Sequence, residues 1–274
     1  MDRESIVSRA TAFVEDAPAN RVTAELAISE ELVGMRMFQA PIFGFGAAAD
    51  PYFQKLQEPA AVGPHFCLPS EWLPGAETVI SFFLPFTEAV IAGNSRVMNW
   101  PSSEWLHARI EGQSFLLSLC RFLQAEFQSA GYQAVVPALD PRFTMVTDVA
   151  EDRFTSNWSE RHVAFVCGLG TFGLSKGLIT RRGVAGRFGS LVADLRLPSD
   201  ARPYEGVYEY CTFCGACVRN CPAEAISLQV GKRHIPCSDF LERTKAAFSP
   251  RYGCGKCQVQ VPCATGIPSR VDLR

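Results

Sequence analysis

Residues 211–222 read Cys211-Thr-Phe-Cys214-Gly-Ala-Cys217-Val-Arg-Asn-Cys221-Pro222. This is the spacing C-x2-C-x2-C-x3-C-P. A loop that offers a thiolate at every third residue wraps three corners of one iron–sulfur cubane. The fourth cysteine lies too far along the chain to close the same cube. Pro222, with no N–H and a fixed φ, predicts a helix over Ala223–Ser227. Paired C-x2-C units also hold zinc, which is the competing reading of the run.

Further cysteines follow. Cys237, Cys254-Gly-Lys-Cys257 and Cys263 complete a set of eight between 211 and 263, enough for two [4Fe–4S] clusters. In two-cluster ferredoxins the fourth cysteine of such a run ligates the other cluster. That crossed logic gives one cluster Cys211, Cys214, Cys217 and Cys263, and the other Cys221, Cys237, Cys254 and Cys257. The step from Cys257 to Cys263 is longer than usual, so Cys263 is the ligand expected to tolerate replacement best.

The chain has 274 residues, 47% hydrophobic, with a formal net charge of -2. Residues 1–200 form an expected N-terminal α+β domain, and 201–274 a ferredoxin-like module. No Lys/Arg run is present, so stable nucleic-acid binding is not expected. The N-terminus has acids at once and no apolar h-region. No long uncharged apolar run predicts a membrane helix. Cysteine usage and low-potential clusters fit a cytoplasmic setting.

Ile6, Val7, Ala10, Phe13 and Val14 fall at helical spacing over residues 4–16, and 23–33 predicts a shorter helix. Phe38 to Pro51 mixes aromatics with Gly and Pro and reads as a loop. Thr78–Leu84 is a buried strand. Ser103–Ala130 is the strongest helix, capped by Ser102 or Ser103 and ended by Gly131. Cys120 belongs to its core, and His107 reads as a partly buried surface residue. Strands are expected at 133–137, 143–147, 178–180 and 188–195, and a helix at 159–167. Gly168-Leu-Gly170-Thr-Phe-Gly173 matches G-x-G-x-x-G, but it follows a helix and leads to a strand. That order is the reverse of a dinucleotide site. The glycines then mark close approach of backbone to a neighbour or a ligand.

With these residues in hand, 70–264 resembles the iron–sulfur and corrinoid part of epoxyqueuosine reductases, itself similar to reductive dehalogenases. The cysteine steps carry the likeness, with Leu73-Pro-Gly-Ala-Glu-Thr-Val-Ile, Glu160-Arg161, Ala164, Gly168-Leu-Gly170, Gly189-Ser and Asp194-Leu195. The resemblance implies a base-off cobalamin between the N-terminal domain and the clusters, beside Gly168, Gly170 and Gly173. It also implies a proton-donating aspartate, matched by Asp148. The family's lysine after the glycine-rich turn is displaced to Lys176. Pro262 precedes the last cysteine instead of following it, and the helical-repeat region of many members has no counterpart before Arg274. The expected function is an iron–sulfur oxidoreductase fed by a low-potential ferredoxin or flavodoxin. Its substrate would be a small molecule or a modified nucleoside. The alternative is an electron carrier without catalysis of its own.

Overall fold

The strand Thr78–Pro85 buries all eight of its residues, because both faces of its sheet are covered. In the computed structural model, which describes residues 1–269, the helices and strands run in this order: α1 (Arg3–Asp16), β1 (Ile42–Ala47), α2 (Pro51–Lys55), α3 (Pro69–Trp72), β2 (Thr78–Pro85), α4 (Glu88–Ser95), α5 (Ser103–Ser129), β3 (Ala134–Val135), β4 (Met145–Asp148), β5 (Arg153–Ser156), α6 (Glu160–Val166), β6 (Gly170–Phe172), β7 (Leu178–Thr180), β8 (Gly186–Ala193), α7 (Ala216–Arg219), β9 (Ile226–Ser227), β10 (Gly231–Lys232) and α8 (His234–Phe248). The fold is α+β. Its main sheet has the order β1-β2-β8-β3, with every pairing antiparallel.

Side chains alternate across a strand, and β2 divides two cores accordingly. Ile80, Phe82 and Leu84 pack with Ile6 and Val14 of α1 and with Leu119 and Phe127 of α5. Val79 and Phe83 face Trp158 and the α6 residues Val163 and Phe165. Ser102 caps α5 by accepting from the Trp105 N–H at 3.3 Å, and Gly131 follows its end at φ 85°.

Three expectations of local structure are corrected. The Phe38–Pro51 segment is not a loop: it contains β1, paired to β2 from Ile42↔Phe83 to Ala47↔Thr78. Its alternating glycines disguise it. A Cβ at Gly44 would lie 2.3 Å from the Cys167 carbonyl oxygen, so these positions let the end of α6 press on the strand. Residues 23–33 hold only a 3-10 turn, Glu30–Leu32, because Gly34 N–H bonds back to the Val22 carbonyl. Ala223–Ser227 is a turn leading into β9, with Glu224 at φ 49°; the helix of this region is α7, inside the cysteine run. His107 is also fully buried, accepting from the Ile28 N–H at 3.1 Å and facing Glu111. Among the described residues no helix is long and apolar enough to cross a membrane.

Candidate functional site

The cysteine run curls because two residues take left-handed backbone. Phe213 has φ 52° and Gly215 has φ 73°, the latter opening α7. The run is tied to the N-terminal half by the Tyr210 N–H, which donates to Thr171 Oγ1 at 2.9 Å. Cys211, Cys214, Cys217 and Cys263 line one pocket with Gly173, Ile179, Val261 and Pro262. Cys263 is delivered there by backbone pairing: Val184 N–H donates to its carbonyl at 2.9 Å, and Ala185 N–H to that of Ala264 at 3.1 Å. Gly183, at φ 78°, leaves room for that approach, since a Cβ there would sit 2.2 Å from the Ala264 oxygen. The long step before Cys263 is taken up here. Burial pushes the Cys263 thiol up to about 12, and the charges of Cys211, Cys217 and Cys214 act the same way.

The remaining four cysteines face one another separately. Burial pushes Cys254 up to about 12, with Cys257, Cys237 and Cys221 adding to it. Cys257 is raised by burial and by Cys237 and Cys221. Burial raises Cys217 to about 12, and Cys257 heads the charges acting on it, so the two quartets adjoin at this pair. Cys237 is presented by α8. The start of that helix receives the Asp152 carboxylate, which accepts from the His234 and Ile235 N–H groups at 2.9 and 2.6 Å. Gly255, at φ 68°, lies beneath the Trp105 ring. Lys256 is fully buried and donates to the backbone and side-chain oxygens of Asn94 at 2.6 and 2.7 Å. Asn94 in turn donates to the Cys254 carbonyl at 2.9 Å. Among the described residues no three His, Cys, Asp or Glu converge as a single metal ion requires.

Glu160 and Arg161 open α6 beside the second quartet. Arg161 is exposed to solvent, and its Nη1 donates to the Lys176 carbonyl at 2.8 Å. Burial lowers its proton affinity, while Cys257 and Cys237 raise it. Glu160 is half-buried and accepts from the Ser190 hydroxyl at 2.7 Å; burial pushes its carboxyl up to about 7. Nearby, Lys176 Nζ lies 2.9 Å from His234 Nε2. Burial first, then the Lys176 and Lys232 charges, push that imidazole down to about 4. It is therefore neutral at pH 7.

Asp148 lies on β4, and the three glycines follow α6. Asp148 ends β4 in an exposed hairpin, paired with Arg153, and its carboxylate accepts from the Glu151 N–H at 3.2 Å. The strand that leads into Glu160 and Arg161 is β5, which lengthens the interval from Asp148. Gly168 turns the chain after α6 at φ 85° against Ala201. A Cβ on Gly170 would meet the Ile179 carbonyl at 2.0 Å, and one on Gly173 the Ile179 side chain at 3.2 Å. The glycines make room for protein, and Gly173 alone of the three reaches a cysteine pocket. Lys256, Asn94 and Trp105 were not singled out from the sequence as site residues. The one signal for them was a lysine inside Cys254-Gly-Lys-Cys257.

Residues 204–227 match the 4Fe-4S binding domain family. No curated protein matches the chain. Solved structures do. A selenomethionine-labelled epoxyqueuosine reductase aligns at TM-score 0.50 and 16% identity, covering 98% of this chain and 67% of that one. A catabolic reductive dehalogenase aligns at 0.52 and 15%, covering 83% and 30%. The epoxyqueuosine reductase from Streptococcus thermophilus aligns at 0.47 and 19%, covering 85% of this chain, which spans 65% of that enzyme's length. The chain therefore has the fold shared by epoxyqueuosine reductases and reductive dehalogenases, with a ferredoxin-like 4Fe-4S binding module at its C-terminal end.

Proposed function

We propose that this protein is an iron–sulfur oxidoreductase with two [4Fe–4S] clusters, one on Cys211, Cys214, Cys217 and Cys263, the other on Cys221, Cys237, Cys254 and Cys257. The observation that supports the reading is the one pocket lined by Cys211, Cys214, Cys217 and Cys263, with Cys221, Cys237, Cys254 and Cys257 acting on one another beside it. The clusters supply single electrons at low potential. Around the first pocket, Tyr208 and Phe213 are 48% and 49% exposed with ring centroids 5.9 Å apart. This apolar rim suits the entry of electrons from a ferredoxin or flavodoxin. Arg161 lies beside the second quartet, where Cys257 and Cys237 act on it, and the electron-accepting ligand is placed in a recess next to it. There Glu160, whose carboxyl is raised into the neutral range, is the group suited to move a proton.

Anaerobically purified protein is expected to contain about eight iron and eight sulfide per chain. Stoichiometric zinc without sulfide would overturn the assignment.

A base-off corrinoid is the ligand that the fold relatives suggest for the recess. It would have to be held by Glu160 and Arg161 rather than by Asp148 and the glycines. Cobalamin titrated into the cluster-loaded protein should shift its visible spectrum. An unchanged spectrum supports the second reading, an electron carrier, which the exposed position of Asp148 and the protein-filled surroundings of Gly168 and Gly170 favour.

A further inference from the structure

Two arginines meet beside α5 without a carboxylate between them. Arg187, near the start of β8, donates through Nη2 to the Arg109 carbonyl at 2.9 Å. Arg109 donates through Nη2 to the Tyr252 hydroxyl at 3.0 Å, and its guanidinium lies 4.7 Å from the centre of that ring. Among the described residues neither arginine takes part in an ion pair. The half-buried Arg202 and Arg251, by contrast, hold Asp50 and Glu111. Arg187 Nε is buried with no hydrogen-bond partner. A buried guanidinium donor left unpaired is costly, and a second like charge beside it adds to the cost.

The groups acting on Arg187 after burial are Arg109 and Tyr252, which leave its proton affinity lowered to about 9. The arrangement is also fixed. Arg251 is held by Glu111 on one side of Tyr252, and Gly253 and Gly255 pack under Trp105 on the other. Tyr252 accepts from Arg109, so its own O–H is left to donate.

We propose that Arg109, Arg187 and Tyr252 form a binding site for an oxyanion, the carboxylate or phosphate group of a small molecule. The anion accepts from the guanidinium edges of Arg109 and Arg187, in the forked geometry that suits both groups, and from the Tyr252 hydroxyl, while Arg187 Nε stays buried behind them. All three side chains are partly solvent-accessible, so the group can arrive from outside. The site does not depend on the cluster reading.

The test is anaerobic calorimetry on the full cluster-loaded chain, titrated separately with inorganic phosphate and with benzoate. Saturable binding of at least one is expected. Phosphate alone points to a phosphate ester, and benzoate alone to a carboxylic acid. Arg187→Gln should weaken binding on the order of tenfold or more, and Tyr252→Phe by a few-fold. If Arg187→Gln does not fold, Arg109→Gln and Tyr252→Phe carry the comparison. Wild-type protein that binds neither anion, or folded variants that bind as wild type does, would overturn the proposal. Iron and sulfide measured on the same samples separate that failure from failure of the cluster assignment.

Discussion

Cys217→Ser and Cys221→Ser are expected to lose different clusters, although the two cysteines are near neighbours in the same short run. Cys217 shares its pocket with Cys211, Cys214 and Cys263, whereas Cys221 acts on Cys254 and Cys257. α7 lies between them and turns the chain from one space to the other. Each variant should keep about half of the iron and sulfide, and EPR of the reduced proteins should retain a different signal in each. Cys263→Ser should resemble Cys217→Ser, because the backbone of Cys263 is pinned to Val184. That expectation is firmer than the spacing alone allowed. Identical residual spectra for Cys217→Ser and Cys221→Ser would refute the crossed assignment.

Gly255→Ala should be the most damaging single methyl in the module. The added Cβ would lie 1.9 and 2.0 Å from two atoms of the Trp105 ring, at a backbone φ of 68°. Trp105 cannot yield easily, being 4% exposed and packed edge-on against Phe86 with centroids 4.9 Å apart. Left-handed backbone costs a side-chain-bearing residue roughly 1–2 kcal/mol, and overpacking about 1–3 kcal/mol more. The sum is a large part of a typical domain's ~5–15 kcal/mol. Urea unfolding should show the loss. Iron analysis should show poor loading of the quartet that contains Cys254 and Cys257. In a Trp105→Leu background the steric part should largely vanish and the backbone part remain. Wild-type stability and iron content in Gly255→Ala would contradict the packing described here.

The elements legible in the sequence are those whose cause is local. Thr78–Leu84 is mostly apolar, with only Thr78 and Ser81 polar, because both faces are covered, and α5 announces itself by its period, its Ser102 cap and its terminal glycine. The spacing of the cysteine run was sufficient to mark the 4Fe-4S binding family that residues 204–227 match. What was not legible depends on distant partners. Gly44 and Gly46 resemble loop residues until the end of α6 is placed against them. Asp148 reads as the end of a core strand, but β5 forms an exposed hairpin with β4 and then leads directly into Glu160. No local pattern could have paired Arg109 with Arg187, since the two lie on different elements and meet only when α5 crosses the start of β8. Lys256 was visible as a letter, but its burial against Asn94 follows from α4 alone.

The return of Cys263 to the pocket of the first three cysteines has a bearing on the order of assembly. Cys221, Cys237, Cys254 and Cys257 all lie between Cys217 and Cys263, so one set of thiols is nested inside the chain loop closed by the other. Closing a loop costs entropy that grows with the length of free chain. On the proposed assignment a cluster on the nested set would shorten the loop that the outer set must close, so maturation is expected to run from the inside outward. Oxidative loss should run the other way. Release of Cys263 frees only the end of the module, while loss of the nested cluster lengthens the outer loop again and weakens the cluster that remains.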